Sequence, residues 1–573
     1  MPNKILEGGQ ALVKCLENEG VEYIFGYSGG AAIPIFDALV TTETNIEFVL
    51  VRHEQGAAHM ADGYARATGK PAVVLVTSGP GATNTLTGIM TAQMDSVPMI
   101  VISGQAVSWM LGKDAFQEAD IFGITMPVVK HSYLIRETND IPRITREAFH
   151  IATTGRPGPV LIDIPKDISA GPFNGSLQAE MDLPGYKLNY DVDNDIILQI
   201  ANEIARSKKP VILAGHGAMI AKADEVLLNL AEKANIPVTT TLLGKGIFPE
   251  SHRLSLGMLG MHGTAYANKA ICECDLLINV GSRFDDRILG KPEMFCKNAL
   301  IVHIDIDAAE IGKMIKPEII CTSDAKIALD ELIKHVPTMD NDSWNNHILN
   351  YKKKYPLKFV RQGGLKMQHI IDEFNKQTFG KACVSTDVGQ HQMWAAQFYK
   401  NESRYDWLSS GGAGTMGFGF PASIGAAFGR PNDIHICFVG DGGFQMTFFE
   451  LATAAIHKLP VKIVVLNNHY LGMVRQWQEL FYDDRKSGVD LEGNPDFVRL
   501  AESFGVKGFN LRRSGDVKRI VSSVLEYNEG PCLLNCEVEK TDNVYPMVPA
   551  GAALEDMLVE APKHKMEKPT GST

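Results

Sequence analysis

The 573-residue sequence contains no Cys-x-x-Cys pair, no Lys/Arg run longer than three residues and no apolar run that approaches the ~20 residues of a membrane-spanning helix. Each absence excludes a class of function. Nine cysteines are scattered singly, and the closest approach is Cys272-x-Cys274. That spacing suits a helix or strand better than a zinc knuckle, and unpaired thiols indicate a reducing compartment. The formal charge is −12, with 55 Lys and Arg against 67 Asp and Glu, so nothing suggests a nucleic-acid backbone as partner. Lys4, Glu7, Lys14, Glu17 and Glu19 interrupt the first twenty residues, which leaves no room for a signal-peptide apolar core. The expectation is a cytoplasmic protein with neither membrane nor nucleic acid as partner. What is present is a 45% hydrophobic composition, spread over a length that suggests about three domains at roughly 150–200 residues each.

Short apolar runs alternate with helical stretches almost throughout. Strands are expected at 46–51, 72–77, 98–103, 160–164, 211–214, 276–280, 301–306, 382–386, 434–439, 461–466 and 531–537. Continuous β-branched runs mark strands buried on both faces, as in parallel sheets. Strand–helix–strand order repeated this often predicts an α/β fold of three doubly wound parallel-sheet domains. Two seams interrupt the series. One is the Gly-, Pro- and Tyr-containing stretch 171–195, and the other is the charged stretch 340–358. The domains are therefore cut as 1–185, 186–350 and 351–573.

The strongest local signal is Gly440-Asp441-Gly442-Gly443, followed by Asn467-Asn468. With a helix expected at 447–457 between strands 434–439 and 461–466, this is one βαβ unit. Asp441 and Asn468 then emerge from the same carboxyl edge of a parallel sheet, where such folds bind ligands. A carboxylate and an amide oxygen are hard donors suited to Mg²⁺. Gly442 and Gly443 leave backbone N–H groups open to an anion. The plain alternative is a tight turn and an ordinary strand end.

This pair of motifs resembles the signature of thiamine-diphosphate enzymes. The resemblance implies that Asp441, Asn468 and the backbone carbonyl of Tyr470 hold the metal. It also implies that Gly440, Gly442, Gly443 and Val388-Gly389-Gln390-His391 seat the diphosphate. In Gly411-Gly412-Ala413-Gly414-Thr415-Met416-Gly417, the Gly414 carbonyl would accept from the cofactor's 4′-amino group, and Met416 would wedge between its rings. Met473 belongs to the same cofactor set. The stretch Arg52-His53-Glu54-Gln55-Gly56 resembles the pyrimidine-domain motif. Glu54 would be the carboxyl partner of ring N1′ that lets the aminopyrimidine act as a base. A lone Glu in a first helical turn is otherwise ordinary.

From Gly8 to about Leu558 the chain is most similar to acetohydroxyacid synthase (acetolactate synthase) large subunits. The three domains would then be pyrimidine-binding, FAD-binding and diphosphate-binding. Gly30, Phe116, Gln117 and Lys166 would border the reacting centre, though Ser28 stands where this family usually has Pro. Arg287 would grip the carboxylate of a second ketoacid, and Trp477 would shape the acceptor pocket; a surface ion pair and a core Trp are the plain alternatives. Gly215-His216-Gly217 is a poor dinucleotide fingerprint on its own. By resemblance the FAD cradle combines Gly215, Gly217, Thr241, Leu242, Leu243, Gly257, Met258, Gly260, Met261, His262, Arg283, Asp285, Arg287, Asp305, Ile306, Ser323 and Asp324, with Arg156 reaching across from the first domain. The implied reaction decarboxylates pyruvate and condenses the remaining two-carbon unit with pyruvate or 2-ketobutyrate. Its products, 2-acetolactate or 2-aceto-2-hydroxybutyrate, lead to branched-chain amino acids. A homodimer or homotetramer is implied, with a small regulatory subunit as a further partner. The rivals are a flavin-free acetolactate synthase, a 2-ketoacid oxidase and an inactive paralogue.

Overall fold

The computed structural model describes residues 5–188 and 190–562. Three six-stranded sheets, each wholly parallel, form its frame. The first runs, across the sheet, Glu47–Leu50, Tyr23–Gly26, Ala72–Val76, Met99–Gln105, Pro159–Pro165, His131–Leu134. The last runs Trp407–Ser409, Cys383–Thr386, His435–Gly440, Val461–Asn467, Cys532–Glu537, Lys507–Leu511. Numbered along the chain within each sheet, both have the order 2-1-3-4-6-5. The central sheet runs Ser255–Met258, Val238–Thr240, Pro210–Ala214, Leu276–Val280, Leu300–Asp305, Ile319–Thr322, an order of 3-2-1-4-5-6. That order has its switch point between Pro210–Ala214 and Leu276–Val280, where doubly wound folds open a crevice at the strand ends. Every residue of Ala72–Val76, Pro210–Ala214 and Val461–Asn467 is buried, as helices covering both sheet faces require.

The first and third domains share one apolar core. Phe25, Val74 and Met60 pack in the same cluster as Ile424, Val439 and Phe444. Its centre is the contact between helices Glu54–Thr68 and Gly419–Gly429. A Cβ at Gly63 would lie 2.0 Å from the Ala422 carbonyl oxygen, and one at Gly425 would lie 1.8 Å from that of Met60. The two helices touch backbone to backbone, which only glycine allows at these positions.

Two details differ from the sequence expectation. The helix after Gly440 begins at once, as Asp441–Thr447, and continues through a single 3₁₀ turn, Phe448–Glu450, into Leu451–Ile456. The helix expected at 447–457 thus starts earlier, and its first turn includes Gly442 and Gly443. The second seam at 350 falls inside helix Asp342–Lys354. Trp344 and Ile348 of that helix are buried in the central domain's core, and the indole N–H of Trp344 donates to the Pro210 carbonyl at 3.2 Å. We therefore place that boundary after the helix. All nine cysteines are free. No helix among the described residues is long and apolar enough to cross a membrane.

Candidate active site

Strands His435–Gly440 and Val461–Asn467 pair in parallel, with Gly440 opposite Leu466. Asp441 and Asn468 thus leave the sheet at the same edge. The Asp441 carboxylate is almost fully buried and accepts a hydrogen bond from Asn494 Nδ2 at 2.7 Å. Burial outweighs that bond and lifts its pKa to about 6. The Asn468 amide oxygen accepts from the Tyr470 N–H at 3.1 Å. Among the described residues no group of three His, Cys, Asp or Glu is arranged for a metal. A cation here would be held by one carboxylate plus neutral oxygens, which suits Mg²⁺ with its retained water and phosphate ligands. A buried carboxylate fits that donor set, because a divalent ion beside it would favour its charged form.

The wall beside it is built from donors without positive charge. Gln390 Nε2 donates to Gln476 Oε1 at 2.8 Å and to the Asp542 carbonyl at 2.9 Å. Burial drives the His391 imidazole down to about 4, so it is neutral at pH 7, and its Nε2 is buried without a partner. A Cβ on Gly440 would lie 2.9 Å from that ring, so glycine is what lets the imidazole cross the strand end. A diphosphate placed against such a wall gains backbone N–H donors but needs a cation for charge balance.

The loop Gly411 to Gly417 is held by two buried carboxylates that the sequence did not single out. Asp95, from the first domain, accepts the N–H groups of Gly411 (3.1 Å) and Gly412 (2.6 Å), and is itself paired with Arg66 at 2.8 Å. Asp387 accepts the Gly417 N–H at 2.9 Å, and burial pushes its carboxyl up to about 7. Gly414 and Gly417 sit at φ +61° and +88°, left-handed positions that glycine tolerates. These contacts present Gly414 and Met416 to one cavity of about 1260 Å³.

That cavity is continuous. Asp441, Asn468, Tyr470, Val388, Gly389, Gln390, His391, Gly440, Gly442, Gly443 and Met473 all line it. Trp477 and Arg287 line it as well. The Trp477 ring packs against Phe481 at 5.2 Å, and the largely exposed Arg287 has, among the described residues, Asp286 as its ionic neighbour at 3.3 Å. From there the cavity runs into the central domain's switch-point crevice. Arg156, Gly217, Thr241, Leu242, Leu243, Met258, Met261, His262, Arg283, Asp285, Asp305, Ile306 and Asp324 line that part. Arg156 reaches in from the first domain, braced by Glu310 at 2.7 Å and Ser96 at 2.9 Å. Burial keeps His216 and His262 neutral, both near 4, and raises the Asp285 carboxyl.

Four residues of the expected flavin set stand behind this lining: Gly215, Gly257, Gly260 and Ser323. A Cβ at Gly215 would lie 2.3 Å from the Gly281 oxygen, and one at Gly260 would lie 2.5 Å from the Arg287 oxygen. Their glycine character serves close approach of neighbouring backbone. Ser323 Oγ donates to the Tyr190 carbonyl at 3.2 Å. The C-terminal segment Val548 to Gly551 also lines the cavity, and nothing in its composition announced it.

Glu54, Gly30, Phe116, Gln117 and Lys166 do not line this cavity. Glu54 opens helix Glu54–Thr68, whose N-cap His53 accepts the Gln55 N–H at 3.1 Å. Its Oε2 accepts from Asn84 Nδ2 at 2.9 Å. The turn Gly79 to Gly81 joins Glu54 to Gln117: a Cβ at Gly81 would lie 3.4 Å from Glu54 Oε1, and one at Gly79 would lie 2.6 Å from the Gln117 carbonyl oxygen. In this first domain Tyr27, Ile33, Trp109, Met110 and Met126 are exposed, and Phe116 is 89% exposed. Within one chain, Glu54 thus lies outside the cavity that Asp441 and Asn468 line.

Three family models match in succession. They are the N-terminal thiamine pyrophosphate binding domain at residues 6–124, the central domain of thiamine pyrophosphate enzymes at 197–332, and their C-terminal thiamine pyrophosphate binding domain at 387–536. The chain is 48% identical to the acetolactate synthase large subunit of Cyanidium caldarium, over 97% of each chain. It is 46% identical to that of Lactococcus lactis (97% of this chain, 96% of the relative) and 43% identical to that of Haemophilus influenzae (98% and 100%). With these three domains in this order and identities of this size along nearly the whole length, the chain belongs to the acetolactate synthase large-subunit family of thiamine pyrophosphate enzymes.

Proposed function

We propose that the protein is an acetolactate synthase that uses thiamine diphosphate, Mg²⁺ and FAD. It would join the two-carbon unit left by pyruvate decarboxylation to pyruvate or 2-ketobutyrate. The observation that carries this is the single cavity in which Asp441, Asn468, Gly414 and Met416 face Trp477 and Arg287. Thiamine diphosphate, when bound, supplies a carbon nucleophile and an electron sink for decarboxylation. Asp441, Asn468 and the Tyr470 carbonyl would hold its metal. The backbone N–H groups of Gln390 and His391, at the start of their helix, would donate to phosphate oxygens, and Met416 would support the rings. Arg287, whose ionic neighbour Asp286 is itself exposed, offers paired N–H donors to the acceptor's carboxylate. The crevice at the central switch point favours a dinucleotide there and so favours FAD over the flavin-free reading. The reaction itself needs no redox step.

The separation of Glu54 from the cavity supports a site assembled from two copies, with Glu54 of one chain covering the cofactor of the other. A homodimer is then the minimum working unit, and a homotetramer is compatible with it. The relatives are named as large subunits, and a small regulatory subunit is the further partner we assign. The free thiols support a reducing compartment, and the cytoplasm is the location we assign. The test is acetolactate formation from pyruvate by the purified protein, with each cofactor omitted in turn. A requirement for all three is expected. Activity without FAD removes the flavin from the proposal, and release of CO₂ without acetolactate would overturn the synthase assignment.

Trp477→Leu should flatten the preference between 2-ketobutyrate and pyruvate, because an apolar wall discriminates one methylene by roughly 1–3 kcal/mol. Competition between the two acceptors, read as the product ratio, checks this. An unchanged ratio takes Trp477 out of the acceptor pocket.

A further inference from the structure

We propose that Glu450 is a positioning residue for Glu54. Glu450 belongs to the third domain, in the 3₁₀ turn that follows helix Asp441–Thr447. Its side chain is fully buried. Oε1 accepts the backbone N–H groups of Arg52 at 3.0 Å and His53 at 3.1 Å. Oε2 lies 3.2 Å from the Arg52 nitrogen and accepts the Thr453 hydroxyl at 2.6 Å.

Arg52 and His53 are the two residues immediately before Glu54. Amides at a helix start have no acceptor within the helix and must find one elsewhere. Among the described residues, the first domain supplies the His53 ring, which serves Gln55. The acceptor for the two preceding amides comes from almost 400 residues further along the chain. Asn84 holds the Glu54 carboxylate and Glu450 holds the backbone that carries it. The sequence also makes room for this contact. A Cβ at position 56 would lie 2.3 Å from Glu450 Oε1, so Gly56 is the residue that admits the carboxylate. Burial pushes the Glu450 carboxyl up to about 7, against the pull of these donors. A carboxylate kept dry at that penalty serves the amides it binds.

The inference rests on the proposed role of Glu54 toward a thiamine ring. A carboxyl group that must meet one ring nitrogen loses efficiency steeply with displacement. The experiment measures exchange of the C2 hydrogen of bound thiamine diphosphate for deuterium in the Mg²⁺-loaded, full-length protein. That step reports cofactor activation alone. Glu450→Ala and Gly56→Ala are each expected to slow exchange ~10–100-fold, with thiamine diphosphate Kd and pyruvate KM changed by less than ~3-fold. The double variant should be no slower than the slower single one, because both substitutions remove one contact. Glu450→Gln keeps an oxygen for the two amides and should restore most of the rate.

A role confined to holding the domains together predicts a lower melting temperature with exchange unchanged per bound cofactor. That result would overturn the inference. If Glu450→Ala does not fold, Gly56→Ala decides alone, since it removes no hydrogen-bonding group and favours the helix. Glu54→Gln, run in parallel, separates the two layers. Parental exchange in Glu54→Gln would remove the role of Glu54 itself. Slow exchange there with parental exchange in Gly56→Ala would remove only the role of Glu450.

Discussion

A Glu54→Gln protein should turn pyruvate over at least ~100-fold more slowly than the parent while folding normally, since a positioned proton-transfer group typically contributes that much or more. The substitution keeps the shape of the side chain. The Gln carbonyl oxygen can still accept from Asn84 Nδ2, which lies 2.9 Å from Glu54 Oε2, and Gly81 still leaves room beside it. Glu54 is only half-buried in the single chain, so no core contact is lost. What disappears is a group able to share a proton with a ring nitrogen. Single-turnover decarboxylation and a thermal melt, measured on the same preparation, check both halves of the expectation. Turnover at the parental rate would take Glu54 out of the site and, with it, the two-copy arrangement. Unfolding would mean that the residue is needed at the start of its helix for structural reasons.

Much of the frame was legible because interior strands of parallel sheets are continuous apolar runs. Ala72–Val76, Leu276–Val280 and Val461–Asn467 stand out on that ground alone. The strands that escaped are mostly sheet edges. His131–Leu134 and Lys507–Leu511 carry polar residues on their open sides, and Trp407–Ser409 is only three residues long. The placement of Asp441 and Asn468 at one sheet edge was legible because both lie within one βαβ unit, where spacing in sequence converts directly into geometry. Asp95, Asp387 and Glu450 were not legible. Each acts on backbone N–H groups, and those of Asp95 and Glu450 lie hundreds of residues away. A backbone donor has no side chain to leave a mark at the receiving position. The only local trace is the glycine that makes room, as at Gly56 beside Glu450 and Gly443 beside Asp387.

Asp441→Asn should abolish Mg²⁺-dependent activity and at the same time make the metal-free protein more stable near neutral pH. The sign follows from the raised pKa. Asp441 moves from the ordinary 3.8 to about 6 on folding, so between those values the folded chain binds more protons than the unfolded one. Stability is therefore lost as pH rises from 4 to 6, and above 6 the penalty is complete, on the order of 2–3 kcal/mol. Asn carries no charge and escapes it, while its oxygen can keep the bond from Asn494. In the parent, Mg²⁺ with thiamine diphosphate should offset the penalty and raise Tm by mass action, and in the variant that rise should vanish. Denaturant melts at pH 4.5 and 7, with and without the metal and cofactor, decide the matter. A variant less stable than the parent at pH 7, or still stabilised by Mg²⁺, would remove Asp441 as the metal's carboxylate. Mixing this variant with Glu54→Gln then tests the assembly. If each site takes Glu54 from one copy and Asp441 from the other, half the sites of a mixed dimer are intact. Random reassociation should then restore about a quarter of the parental activity from two inactive proteins. If both residues served one chain's own site, every site would carry a lesion and the mixture would stay inactive.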